Sequence, residues 1–240
     1  MPVGLGVFLV LAVIFFSTLI RSTLGFGNAL LAMPLLTLLI GVREASPLVA
    51  LLGLVISLLM LLRGWEAVRW QEILVLLAAS VPGILLGLVL LTAAPERIVQ
   101  WILGLVLAGF GLYGILGTKL PEIDREWLGV PCGFLAGVLG GAYNANGPPI
   151  IIYGVFRRWD KDQFRASLQG FFLVSNLLIV VGHGISDLWT GRVLILFLAA
   201  VLPAAAAVYL GESIAARIPQ DRFDRLIYGF LILMGLVMFL

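Results

Sequence analysis

The chain has 240 residues, of which 62% are hydrophobic and 12% are charged, and its formal net charge is +2. Soluble domains carry about 25% charged residues, and a folded chain leaves much of its surface exposed, so this much apolar surface requires lipid as the solvent. The alternation typical of a lipid-facing barrel is absent, and the composition predicts an all-α polytopic membrane protein. The single Cys132 excludes an internal disulfide. No nucleic-acid or metal motif occurs in the sequence, and no cofactor is expected.

Ten apolar segments follow one another along the chain, and a helix needs about 20 apolar residues to cross a bilayer. Leu5–Ile20 resembles a signal-peptide core, but no positive n-region precedes it, so we expect a mature first helix. The seventh segment is too short to cross in full, because each helical residue adds about 1.5 Å. The segments are Val3–Ile20, Gly25–Val42, Pro47–Leu62, Ile73–Leu91, Ile98–Gly117, Trp127–Ala142, Pro148–Phe156, Phe164–Val181, Val193–Leu210 and Phe223–Leu240.

A polar connector at residues 118–126 divides the chain into two nearly equal halves. Paired landmarks occur in the same order in both halves and indicate an internal repeat. Because each half holds an odd number of segments, the halves should lie upside down relative to each other, as in many secondary transporters. We predict one repeat of five segments over 1–117 and a second over 127–240. The landmarks are Gly25–Pro34 with Gly140–Pro149, Glu44–Ser46 with Arg165–Ser167, Pro82 with Pro203, and Pro95 with Pro219.

Lys and Arg concentrate in the loops on one side of the predicted segments, and the other side receives Arg43, Arg97 and Arg192. Cytoplasmic loops collect Lys and Arg, so both termini are predicted outside. This orientation holds whether segments one–two and six–seven cross fully or form re-entrant hairpins, and that choice stays open.

The stretch Gly140–Pro149 (GGAYNANGPP) places glycine, asparagine and proline between two apolar runs. One interpretation is a tight surface turn, which these residues favour for steric reasons. The other is a broken helix inside the membrane, which is tolerated only where protein or a water-filled cavity surrounds it. In such a site the amides of Asn144 and Asn146 and the hydroxyl of Tyr143 would donate hydrogen bonds to an oxyanion, and Gly147 would permit close backbone approach.

A second break lies in the first half, at Gly25-Phe26-Gly27-Asn28. A helix start offers unpaired N–H groups and the positive end of a dipole, which suit an anion. In an inverted repeat the two breaks enter from opposite faces and meet near the midplane, so their alignment favours a binding site that includes Gly27 and Asn28. Arg21 reaches the lipid headgroups if the first segment spans fully, and it is an intramembrane cation if segments one and two form a hairpin.

The eighth segment carries Arg165, Gln169, Phe172 and Asn176 at spacings of three or four residues, so they share one helix face. Helix–helix hydrogen bonds would explain Gln169 or Asn176 singly. The stripe as a whole indicates the lining of a cavity. His183, the single histidine, is more typical of a surface residue at a helix end than of a proton relay. No Asp or Glu lies clearly inside a segment, and the coupling ion stays open.

The paired motifs Gly25-Phe26-Gly27-Asn28…Pro34 and Gly140–Pro149, set in two related halves, resemble the TauE/SafE family of sulfite exporter and anion permease-like membrane proteins. The likeness covers essentially the whole chain. It implies transport of small sulfur-containing anions, such as sulfite or organosulfonates like sulfoacetate, in the bacterial inner membrane. Family members often have glycine where this chain has Asn28, Asn144 and Asn146, which leaves the exact ligand open.

The sequence therefore predicts a transporter with alternating access and not an enzyme. The anion would lie between the two breaks, bound by Asn144, Asn146, Tyr143 and Asn28, with Gln169 and Asn176 along the route. An anion channel, a permease for small carboxylates and a structural subunit are alternatives. An intramembrane enzyme is disfavoured because Cys132 and His183 lie far apart in sequence. The direction of transport and self-association stay open.

Overall fold

The computed structural model describes residues 3–93, 104–105, 108–109, 111–112, 115–116 and 126–237. Within these ranges the chain is helical and contains no strand, which confirms the predicted all-α fold. These ranges include only a few positions of the predicted fifth segment, those between 104 and 116 given above. They include only Glu126 of the polar connector. The proposed repeat boundaries therefore stay predictions.

Nine helices account for most of the described residues, with 3-10 turns at Trp65–Ala67 and Glu126–Leu128. Several extend beyond their predicted bounds, and prolines 34, 47, 82 and 203 lie inside helices. The bounds are α1 Val3–Leu24, α2 Asn28–Ile40, α3 Val42–Gly64, α4 Trp70–Ala93, α5 Gly129–Tyr143, α6 Gly147–Phe156, α7 Lys161–Ile185, α8 Gly191–Ala215 and α9 Gln220–Val237.

Five of the described helical stretches are long and apolar enough to cross a membrane. They expose large apolar side chains, among them Leu202 and Ile185, which suit contact with lipid tails. The helices α2, α5 and α6 are shorter, and α6 has 10 residues, so it reaches about halfway across the hydrocarbon core. The stretches long enough to cross are Leu5–Leu24, Val42–Ala67, Trp70–Val89, Lys161–Ile185 and Gly191–Ala215.

Close backbone contact joins the helices in pairs. A Cβ added at Gly83 of α4 would collide with the carbonyl oxygen of Phe134 in α5. A Cβ added at Gly133 of α5 would collide with the carbonyl oxygen of Leu76 in α4. Along α1 and α8, a Cβ at Gly211 would lie 2.5 Å from Ser22 Oγ. Small residues at such positions let helices approach in lipid. The α1–α8 and α4–α5 pairs flank α3 and α7, which pack against each other.

Candidate functional site

Each of the two predicted breaks separates a pair of helices in the structure. Between α1 and α2, Gly25 and Gly27 have φ of 91° and 102°, a region that L side chains rarely adopt. A Cβ at Gly27 would also lie 2.8 Å from the Phe230 ring, so both conformation and space require glycine there. Between α5 and α6, Asn144 has φ of 55° and its backbone N–H donates to Gly140 O at 2.9 Å, which closes the C-terminus of α5.

Both breaks line one cavity of about 30 Å³, which has room for little more than water. Seven of the nine predicted site residues line this cavity, and α3 supplies a wall that the sequence did not indicate. The lining residues are Arg21, Phe26, Gly27, Asn28, Ala29, Leu30, Val49, Gly53, Asn144, Ala145, Asn146, Gly147, Phe172 and Asn176.

Arg21 lies inside the protein, with 5% of its surface exposed, and does not reach outward to headgroups. Its Nη2 donates to Ser57 Oγ of α3 and, at 2.8 Å, to Gln169 Oε1 of α7. The guanidinium lies 5.0 Å from the centre of the Phe172 ring, which adds a cation–π contact. Its Nε has no hydrogen-bond partner. The charged group is therefore held in place by neutral acceptors and an aromatic face.

No carboxylate among the described residues forms an ion pair with Arg21. Taking an ion out of water is costly, and buried charges in proteins are normally paired or bound to a ligand. Arg21 therefore supplies an uncompensated positive charge at the wall of the cavity, and an anion is the ligand that would compensate it.

The start of α2 provides backbone donors to the same cavity. The first-turn N–H groups of Asn28, Ala29 and Leu30 have no acceptor within the helix, and no side chain caps them. The start of α6 is poorer in donors, because Pro148 and Pro149 lack an N–H. The second break has two asparagines and the first has one. The second break nevertheless contributes fewer backbone donors than the first, which lies near Arg21.

The Asn144 amide is engaged within the protein, and its predicted donation to a ligand stays a prediction. Its Nδ2 donates to the backbone oxygen of Ser46 at 3.2 Å and to Ser46 Oγ at 2.8 Å, and its Oδ1 is buried without a partner. The side chain thus ties the second break to α3.

Ser46 Oγ in turn lies 3.5 Å from His183 Nε2. His183 is 1% exposed, so the interpretation of a surface histidine is wrong.

The other predicted amides remain close to the cavity. Asn146 Nδ2 donates to Ser175 Oγ at 2.9 Å and retains a second N–H. Asn176 stands against Gly53, where an added Cβ would lie 2.8 Å from Asn176 Nδ2 and 3.6 Å from Arg21 Nη1. Gly53 therefore leaves the space in which Asn176 and Arg21 approach each other. The Tyr143 side chain lies outside the described part of the structure.

Gln169 separates the cavity from a vestibule of about 440 Å³. Its Oε1 accepts from Arg21, its Nε2 donates to Gly25 O at 2.7 Å, and it also lines the vestibule. One turn away, Arg165 Nη2 donates to Ser22 O at 2.6 Å, near the end of α1. The predicted stripe on α7 thus runs from the vestibule to the cavity. The vestibule is lined by Met60, Arg63, Gly64, Glu66, Ala67, Asp162, Arg165, Ala166, Gln169 and Glu212.

A buried carboxylate that the sequence analysis missed is Glu72, near the start of α4. It accepts from Arg157 Nε at 2.9 Å, Trp159 Nε1 at 3.1 Å and Arg69 Nε at 3.1 Å. Because both oxygens are occupied by these donors, Glu72 connects α4 to the residues that follow α6. In the described ranges no group of three or more His, Cys, Asp or Glu side chains has metal-binding spacing.

The chain matches the family model described as sulfite exporter TauE/SafE over residues 10–238, nearly its full length. No curated protein and no solved structure gives a significant match. The match agrees with the paired glycine-rich breaks, the apolar helices and the described cavity between them. The chain therefore belongs to the sulfite exporter TauE/SafE family, a family of multi-pass membrane transporters.

Proposed function

We propose that the protein exports small sulfur-containing anions, such as sulfite or organosulfonates, across the bacterial inner membrane. The anion binds between the two helix breaks, next to Arg21. One half of the chain rocks against the other to expose the site to each side in turn. The charge distribution supports an orientation with both termini outside and the vestibule on the cytoplasmic side.

The observation that carries this proposal is the buried, uncompensated charge of Arg21 beside a helix N-terminus. Backbone N–H groups at the start of α2, the Asn28 side chain and the second N–H of Asn146 supply hydrogen bonds around that charge. Oxyanions accept several such bonds at once, which fits a sulfite or sulfonate group.

Replacing Arg21 by glutamine tests this assignment. We expect sulfite or methanesulfonate to raise the melting temperature of the purified wild-type protein, since a ligand present at about 100 times its Kd stabilises the folded state by about 2.7 kcal/mol. Arg21→Gln should abolish that increase, because the neutral amide cannot offset the anion charge. Thermal-shift measurements in detergent provide the comparison.

Arg63→Gln is the matched control, since Arg63 carries the same charge but is 59% exposed and pairs with Glu212. It should keep the anion response. An Arg21→Gln protein that responds to sulfite as the wild type does would refute the site. In proteoliposomes the wild-type flux should saturate with anion concentration, and a flux that rises linearly without limit would favour a channel.

A further inference from the structure

The charge balance of the cavity limits the charge of the anion that it can hold. We infer that the site binds singly charged oxyanions, namely hydrogen sulfite or a monovalent sulfonate, and excludes dianions such as sulfite itself and sulfate. This inference rests on the proposed function of the same site and specifies the ionisation state of its ligand.

Arg21 is the single charged side chain among the cavity-lining residues that the structure describes. The remaining polar donors are neutral: the amides of Asn28, Asn146 and Asn176 and the backbone N–H groups at the start of α2. Neutral donors solvate an anion but do not cancel its charge. One positive charge therefore compensates one negative charge, and a second negative charge would be buried without a partner.

Charged groups beyond the cavity do not supply the missing cation. Arg165 is held by the Ser22 carbonyl, and the carboxylates of Glu212 and Asp162 act on it electrostatically. Arg63 pairs with Glu212 at 2.5 Å on the vestibule side. The positive charges nearest on this route are thus already offset by carboxylates.

On the other side, Arg192 pairs with Glu44 at 3.2 Å at the opposite end of α3. His183 is separated from the cavity by Ser46 and Asn144. Protonation of His183 would bring a second positive charge toward the site. It would change the Kd of an anion whose own charge does not depend on pH, so such an anion serves as a control.

Burial of an unpaired charge is costly enough to weaken binding by more than about a hundredfold. Sulfate carries two negative charges across the neutral range, and methanesulfonate carries one. Sulfite takes up a proton near neutral pH and becomes hydrogen sulfite. The three ligands share sulfur–oxygen geometry and differ in charge, so they separate recognition of charge from recognition of shape.

The experiment measures Kd for each of these anions with the purified full-length chain, from about pH 6 to about pH 8, a range that also covers the ordinary titration of a histidine side chain. We expect methanesulfonate to bind with a Kd independent of pH. Sulfate should bind more than about a hundredfold more weakly. The apparent Kd of sulfite should rise severalfold over the first pH unit above its own protonation midpoint, because the hydrogen sulfite fraction falls by that factor.

Sulfate binding as tight as methanesulfonate would overturn the inference while leaving the anion site intact, and so would a sulfite affinity that is constant or increases with pH. Methanesulfonate keeps its charge over this pH range. If its binding weakens in parallel with that of sulfite as pH rises, the cause is loss of a proton from the protein and not from the ligand, and the inference is again overturned. If none of the anions binds to the wild type, the proposed function fails together with this inference. Arg21→Gln serves as the negative control and should bind none of them.

Discussion

At the scale of single residues, Gln169 engages the cation of the proposed anion site. Its amide oxygen accepts from Arg21 Nη2 at 2.8 Å, on the side of the vestibule. The oxygen of an anion carries a negative charge that the amide oxygen lacks, so we expect an anion entering from the vestibule to displace the amide.

A carboxylate at position 169 should therefore inactivate the site. We expect Gln169→Glu to lower anion affinity at least about tenfold, because the new carboxylate neutralises Arg21 within the protein. The measurement is the methanesulfonate-induced shift in melting temperature. Gln163→Glu makes the same change six residues earlier in α7 and should keep the wild-type shift. An undiminished shift in Gln169→Glu would show that Arg21 does not bind the anion.

The sequence indicated which residues line the cavity better than it indicated the hydrogen bonds that these residues form. Asn28 and Asn146 lie along the cavity, and Arg21, which the sequence left open between two interpretations, lines it as well. The bond from Asn144 to Ser46 depends on how α3 packs against the second break, and no local pattern reports this. Gly53 and Ser57 were missed for the same reason, since small residues four apart are common in packed apolar helices.

At the scale of the helices, the breaks differ in how strictly they require glycine. Gly27 has a positive φ and touches the Phe230 ring, whereas an added Cβ at Gly147 would meet its neighbours at 3.6 Å or more. The first break is therefore fixed by both backbone conformation and packing. The second is closed by Asn144 in the left-handed region instead.

Alanine substitutions should reveal this difference in thermal unfolding. We expect Gly27→Ala to destabilise the protein by about 1–3 kcal/mol, because strain and the contact with Phe230 add together. Gly147→Ala should change the free energy of unfolding by less than about 0.5 kcal/mol in either direction. Equal losses at both positions would contradict the described geometry of the breaks.

The short helix α6 was predictable and the buried histidine was not. The length of α6 follows from the prolines and from the charged residues that end its apolar run. His183 was expected at the surface because it falls at the edge of an apolar segment. In the structure α7 continues to Ile185 and carries His183 into the interior, where α3 covers it. Helix ends in lipid are set by neighbouring elements as well as by local composition.

At the scale of the molecule, the contacts between helices have the symmetry expected of an inverted repeat. The two-fold operation of such a repeat would exchange the α1–α8 pair with the α5–α4 pair. Such a repeat relates α1 to α5 and α8 to α4, and α1 indeed packs on α8 while α5 packs on α4. The repeat itself remains a prediction. The all-α fold followed from composition alone, whereas the packing of α3 and α7 between the pairs did not.

Ion pairs at both ends connect α3 and α8, which belong to different halves. Arg63 pairs with Glu212 at the vestibule and Arg192 pairs with Glu44 at the other end. Both arginines are largely exposed, and exposed pairs contribute about 0–1 kcal/mol, so they can break during a transport cycle. If the halves rock against each other, each pair should separate in one of the two open states.

Cross-linking tests this movement. In a Cys132→Ser background, cysteines at 63 and 212, or at 44 and 192, joined by a short thiol-specific reagent should stop anion flux in proteoliposomes. Either member of a pair alone, treated with the same reagent, is the control and should transport. Full flux with both ends cross-linked would argue against alternating access by relative motion of the halves.

If an anion binds to Arg21 between the two helix breaks, a crystal structure with bound selenite should show it there. Selenium replaces sulfur in the same oxyanion and gives an anomalous scattering signal. We expect a selenium peak inside the cavity, with an anion oxygen within hydrogen-bond distance of the Arg21 guanidinium and of the N–H groups at the start of α2. Selenium bound at the vestibule or the outer surface, with the cavity empty, would refute the assignment of the anion to Arg21.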